Sequence, residues 1–165
     1  MKNALSAVFP GSFDPFTNGH LDILKRACVL FESVTVLVSK NDDKKYMFSD
    51  EKRLKIVNAS IADIKNAKAD LFSGYISEYA CRNNIDIIVK GLRNGEDFGY
   101  EKKMADVNCA IALEKFGRPL ETVYLQSKDE FSLLSSSAVK KLISEGYDFD
   151  KFVPCVKLIK EMLGF

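Results

Sequence analysis

His20 closes the stretch Gly11-Ser12-Phe13-Asp14-Pro15-Phe16-Thr17-Asn18-Gly19-His20 and is the sole histidine in the sequence. An apolar run, Ala4 to Phe9, precedes this stretch, and an amphipathic run beginning at Leu21 follows it. That order reads as a strand, a tight loop and a helix with His20 in its first turn. A helix start presents unpaired backbone N–H groups and the positive end of a dipole, which suits phosphate. There an imidazole can donate a hydrogen bond to a phosphate oxygen. A lone histidine is also commonly a satisfied structural group; its place after Thr17-Asn18-Gly19 favours the chemical role.

Other residues fit the same anionic ligand. Lys44 and Lys45 come after a valine-rich run, and Lys90-Gly91-Leu92-Arg93 follows an isoleucine-rich one. Glycine between two cations lets backbone approach a ligand closely, and arginine offers a fork of donors. Ser135-Ser136-Ser137 at a helix start is either a polar cap or a phosphate cradle. Asp14 and Asn18 read as loop residues held by local backbone hydrogen bonds, and Asp86 as structural. Glu101 faces either a base or ribose, or solvent. The opening loop lacks the Gly-Lys-Ser/Thr of a P-loop and the G-x-G-x-x-G of a dinucleotide site, so neither ligand mode is implied.

Positioning these groups requires alternating strands and helices. Strands are expected at Ala4 to Phe9, Ser33 to Ser39, Ala69 to Phe72, Ile85 to Val89 and Leu120 to Leu125. The intervening helices bury Leu21, Leu24, Cys28 and Phe31, then Leu54, Val57 and Ile61 after the N-cap Ser49, then Ile76, Tyr79 and Ala80. A long helix carries apolar residues at Met104, Val107, Ile111 and Phe116 and ends at Gly117 and Pro119. Ser135 caps a helix ending at Gly146, and Pro154 opens a closing helix. Five strands with helical crossovers make an α/β fold, a doubly wound five-stranded parallel sheet. Ligands of such sheets bind at the carboxyl ends of the strands, where the strand order switches. The cationic, glycine-rich and serine-rich segments all follow strands, so they fall on that one edge.

At 165 residues the chain suits a single domain over 1–165, large enough for a core without disulfides or metal. A net charge of +1 argues against broad nucleic-acid binding, which needs a basic surface. Cys28, Cys81, Cys109 and Cys155 lie far apart with one histidine to assist, so reduced thiols are expected and a zinc site is not. No run approaches membrane-spanning length, and a cytoplasmic location without membrane association is expected.

The motifs Gly11 to His20, Lys90-Gly91-Leu92-Arg93 and Leu134-Ser135-Ser136-Ser137 resemble the signatures of the T/H-x-G-H nucleotidyltransferase superfamily. Length, order and spacing are closest to its bacterial phosphopantetheine adenylyltransferase family, with similarity from Val8 to about Pro154. The resemblance implies a Rossmann-like nucleotidyltransferase fold and adenylyl transfer from ATP, with Mg2+, to 4′-phosphopantetheine. The products are dephospho-coenzyme A and pyrophosphate. It also implies a homo-hexamer and feedback by coenzyme A. By the same resemblance, His20, Lys44 and Arg93 are catalytic. Ser12, Phe13, His20, Gly91, Leu92, Arg93, Glu101 and Phe131, Ser132, Leu133, Leu134, Ser135, Ser136 and Ser137 bind ATP. Ser12, Lys44, Ile76, Lys90 and Asn108 bind the acceptor. Lys90 and Lys140 stand where many relatives carry arginine, Phe131 where tryptophan is common, and Leu134 where isoleucine is common. Two alternatives stay open: a related transferase using nicotinate mononucleotide or glycerol phosphate, and a non-catalytic nucleotide-binding module.

Overall fold

A computed structural model describes residues 4–40, 44–93 and 95–165; Asn41, Asp42 and Asp43 of the expected polar loop, and Asn94 after the fourth strand, lie outside the described residues. The strands are β1 (Ser6–Gly11), β2 (Ser33–Ser39), β3 (Ala67–Phe72), β4 (Ile87–Leu92) and β5 (Glu121–Gln126). The helices are α1 (Asn18–Leu30), α2 (Asp50–Ile61), α3 (Ile76–Arg82), α4 (Gly95–Phe116), α5 (Ser136–Ser144) and α6 (Val156–Leu163). Short 3-10 turns at Asp129–Phe131 and Asp150–Phe152 were not expected from the sequence.

All five strands run parallel in the order β3-β2-β1-β4-β5, the doubly wound arrangement expected. Side chains alternate across the sheet, which accounts for two cores. Phe9, Val36, Val38 and Val89 pack on one face with Leu24 and Ala27 of α1, Ile56 and Val57 of α2, Val139 of α5 and Ile159 of α6. Val8, Leu37 and Ile88 pack on the other with Tyr79 and Ala80 of α3 and Ala112 of α4.

The strand order reverses between β1 and β4. Their ladder pairs Ala7 with Ile87 and Val8 with Ile88 and goes no further. Pro10, two residues on, has no N–H to donate, and β1 continues through Gly11 paired to β2 alone. The sheet therefore parts at its carboxyl edge, where a ligand of this fold belongs.

Three expectations need correction. β4 pairs with β5 through Lys90, Gly91 and Leu92, so the expected loop is strand until Arg93. In α2, Arg53 and Ile56 are fully buried while Leu54 is only partly so, because the helix turns its polar start toward the sheet edge. On α4, Met104, Val107 and Phe116 are exposed, with Asn108 and Ala112 buried instead. One side of that helix meets the sheet, and its apolar residues lie mainly on the other. Gly117 ends α4 at φ +64°, with its N–H on the Leu113 carbonyl at 3.0 Å, the left-handed stop that glycine allows at least cost. Among the described residues, no helix is long and apolar enough to cross a membrane.

Candidate active site

The loop from Ser12 to Thr17 turns out of β1 with Phe13 in the left-handed region, φ 49°, although its side chain is buried. That conformation is unfavourable for a bulky residue and persists only where surroundings impose it. Gly11 leaves room for the ring in that conformation: a Cβ there would sit 2.7 Å from it. Phe9, Phe13 and Phe16 surround His20 with ring centroids 6.4, 5.1 and 5.4 Å from the imidazole.

Thr17 is the N-cap of α1 and His20 its third residue, and the two form a reciprocal cap. Thr17 Oγ1 accepts from the His20 backbone N–H at 3.3 Å, and the Thr17 N–H donates to His20 Nδ1 at 3.0 Å. An Nδ1 that accepts carries no proton, so the proton sits on Nε2 and the ring has one donor to offer. Burial, and secondarily the charge of Arg93, lower the His20 pKa from 6.5 to about 4. At neutral pH His20 is a neutral hydrogen-bond donor.

Asp14 is buried and accepts from the Met47 and Phe48 backbone N–H groups, each at 2.9 Å, and from Lys140 Nζ at 3.0 Å. Asn18 donates to the Lys151 carbonyl at 2.9 Å. Both were expected to make local bonds; both instead tie the opening loop to distant segments. Asp86 accepts from the Ser6 N–H and hydroxyl at 2.9 and 3.0 Å, a structural role as expected.

β4 brings Lys90 and Gly91 to the cleft. A Cβ at Gly91 would meet Ile23 Cγ1 at 3.1 Å, so glycine lets β4 and α1 lie close. Lys90 pairs with Glu101 at 3.0 Å, and Arg93 with Asp97, both partners standing on the first turns of α4. Glu101 therefore faces the cleft cations rather than solvent alone. Ser135 caps α5 by accepting from the Ala138 N–H at 3.0 Å, and Ser136 Oγ donates to the Pro15 carbonyl at 2.8 Å. The serine run is thus both cap and tether, and it sets the start of α5 beside the opening loop.

Together these segments enclose a cleft of about 900 Å³. Of the candidate residues, Ser12, Phe13, His20, Lys44, Ile76, Lys90, Gly91, Arg93, Glu101, Phe131, Leu134, Ser135, Ser136 and Ser137 line it. Leu92, Ser132, Leu133 and Asn108 do not: Leu133 is 92% exposed, and Asn108 is buried within α4. The lining also includes Thr17, Tyr46, Tyr100 and Lys140, which sequence reasoning did not single out as cleft residues. A Thr-x-x-His cap on the opening loop was the readable signal for Thr17, and Lys140 stood out only by the resemblance, at a position where many relatives carry arginine; nothing local signals Tyr46 or Tyr100.

A parallel sheet parted at its switch point, with cations and two helix starts on the opening, defines a phosphate-handling nucleotide domain. In agreement, the cytidylyltransferase-like family model matches residues 8–142. The chain belongs to the phosphopantetheine adenylyltransferase family. It is 41% identical over 158 residues to the phosphopantetheine adenylyltransferase of Clostridium novyi, covering 96% of this chain and 94% of that one. It is 43% identical over 150 residues to that of Synechococcus elongatus, covering 91% and 87%. It is 41% identical over 161 residues to that of Leuconostoc citreum, covering 96% and 98%. The fold is shared with a bifunctional NMN adenylyltransferase/ADP ribose pyrophosphatase from Francisella tularensis, at TM-score 0.65 and 14% identity over 91% of this chain. This chain spans 45% of that protein.

Proposed function

We propose that this protein transfers the adenylyl group of ATP to 4′-phosphopantetheine, giving dephospho-coenzyme A and pyrophosphate. The observation that carries the reading is the convergence of His20, Lys44, Lys90, Arg93 and the start of α5 on one cleft, in a chain of this family. A phosphate oxygen of the acceptor attacks the α-phosphorus of ATP. The bond to the bridging oxygen breaks, and pyrophosphate leaves with that electron pair. The attacking oxygen is already anionic at neutral pH, so no general base is required. Catalysis is alignment plus neutralisation of charge on the transferred group.

His20 suits this task because it donates from Nε2 without titrating. Arg93 supplies a charged fork, and Lys44 a point charge on the cleft lining. Lys90 suits the acceptor phosphate, held meanwhile by Glu101. Ser12, Phe13, Gly91, Glu101 and residues 131–137 are the proposed nucleotide contacts, with Ile76 along the pantetheine arm. Asn108, buried in α4, and Leu92, Ser132 and Leu133, away from the lining, are weaker candidates for direct contact.

Magnesium fits as part of the nucleotide complex. The cleft carboxylates Asp14 and Glu101 are each paired with a lysine, and among the described residues no three acidic, histidine or cysteine groups cluster. Magnesium bound largely by phosphate oxygens and water suits that donor set. We further place the enzyme in the cytoplasm, as a homo-hexamer subject to coenzyme A feedback. The exposed Met104, Val107 and Phe116 on α4 supply an apolar surface for assembly.

Incubation with ATP and phosphopantetheine, detecting dephospho-coenzyme A by mass, tests the reading. Parallel arms use CTP, nicotinate mononucleotide and glycerol phosphate. Product from another acceptor alone reassigns the substrate. ATP binding without pyrophosphate release from any acceptor leaves a binding module and overturns the proposal.

A further inference from the structure

Arg53 is the largest fully buried side chain among the described residues, and it lies outside the cleft lining. A buried guanidinium is costly unless its donors are used. Here Nη1 donates to the Ser12 carbonyl and, at 3.1 Å, to the Ser39 carbonyl. Nη2 donates to Asp50 Oδ1 at 2.6 Å, and the guanidinium lies 4.0 Å from the centre of the Tyr46 ring. Nε is buried with no partner. One charge therefore joins the loop after β1, the exit of β2, the start of α2 and Tyr46. Three of its contacts, Ser12, Ser39 and Tyr46, line the cleft from its other side. For stability alone, this is a poor arrangement, since one donor is wasted and a charge is desolvated.

The bond to Ser12 has a geometric consequence. In a trans peptide the C=O and the following N–H point in opposite directions. Holding the Ser12 carbonyl toward Arg53 turns the Phe13 N–H the other way, away from Arg53, in a peptide whose two residues both line the cleft. Phe13 carries the left-handed φ of this loop, so the peptide has a strained orientation that needs an external hold.

We propose that Arg53 is a positioning residue that aims the Phe13 backbone N–H into the cleft as a fixed donor for a nucleotide phosphate oxygen. The inference rests on the adenylyl-transfer reading of the cleft, but its first test does not need turnover. Titrating the wild-type protein with inorganic pyrophosphate should move the Phe13 amide cross-peak in 15N NMR. Arg53→Lys keeps the charge but loses the fork, so it should shift that peak in the free protein and weaken its response to pyrophosphate. With ATP and phosphopantetheine, Arg53→Lys should lose about tenfold or more in kcat per folded molecule, with a smaller change in KM. Arg53→Met serves as the second variant if it folds, and should lose more. A Phe13 peak in Arg53→Lys that matches the wild type, free and titrated, overturns the proposal. So does a turnover loss equal to the loss of folded protein. If wild-type protein makes no dephospho-coenzyme A, the reaction assignment fails, and the amide titration still decides the role of Arg53.

Discussion

Arg93 and Asp97 meet through both arms of the guanidinium: Nε lies 3.0 Å from Oδ2 and Nη2 3.0 Å from Oδ1, with the Arg93 backbone N–H also on Oδ2 at 3.1 Å. The same fork is the one that a phosphate oxygen pair would take, so a phosphate ligand at Arg93 would compete with Asp97 for it. Both side chains are partly exposed, which limits the pair to about 1 kcal/mol or less. Asp97→Asn should therefore tighten ATP binding by no more than about fivefold, read by calorimetry. Arg93→Ala should lower kcat/KM by about a hundredfold. Weaker ATP binding in Asp97→Asn would mean that Asp97 aims the fork rather than competes for it.

His20 gives a single imidazole signal, which makes its state directly measurable. Two-dimensional 15N NMR should show the Nε2–H form at pH 7 and a midpoint near 4. Because the folded pKa lies below the ordinary 6.5, the unfolded chain takes up the proton first as pH falls. Its stabilising contribution is thus fully present above pH 6.5 and is lost progressively toward pH 4. His20→Asn should flatten that part of the stability profile. His20→Ala should cut turnover by about a hundredfold or more, as for one lost preorganised donor.

Lys90 is held at 3.0 Å from Glu101, both side chains largely shielded. Lys90→Ala should raise the acceptor KM by more than about tenfold while kcat changes less, because a phosphate contact shared by ground and transition states mainly sets binding. Steady-state kinetics with each substrate varied in turn distinguish this from a nucleotide effect. An unchanged acceptor KM would move Lys90 out of the substrate site.

Asp14→Ala removes the acceptor of two backbone N–H groups and of Lys140. Leaving a lysine and two donors without their partner should cost about 3 kcal/mol, measured by urea unfolding. A cost below about 1 kcal/mol would mean that water replaces the carboxylate freely.

The architecture was readable because β2 and β4 carry short valine- or isoleucine-rich runs, the other strands are short apolar-containing runs between helical repeats, and crossover handedness then leaves few topologies. Ser33–Ser39 and the Ser49 and Ser135 caps are local features, and local chemistry specifies them. The cleft edge was readable for the same reason: its cations and glycines lie at or just beyond the carboxyl ends of strands. Arg53, Asp97 and the long reach of Asp14 were not readable. Their partners lie on other segments, or depend on helix phase at a turn that the sequence leaves open. Gly91 was read as loop because glycine is rare within strands, yet β5 keeps it paired while Ile23 demands its small size. The exposed apolar side of α4 misled in the opposite sense, since an apolar stripe does not say which surface will cover it.

The tethers on the opening loop also order events in the life of the chain. Asp14, Pro15 and Asn18 emerge from the ribosome early, but Lys140, Ser136 and the Lys151 carbonyl that clasp them come more than a hundred residues later. A nascent chain stopped before the last two helices has the loop, the sheet and most of the cations, but holds the loop from one side only, through Met47, Phe48 and Arg53. The hold on that loop is therefore completed late in synthesis, when α5 and the segment around Lys151 dock against it.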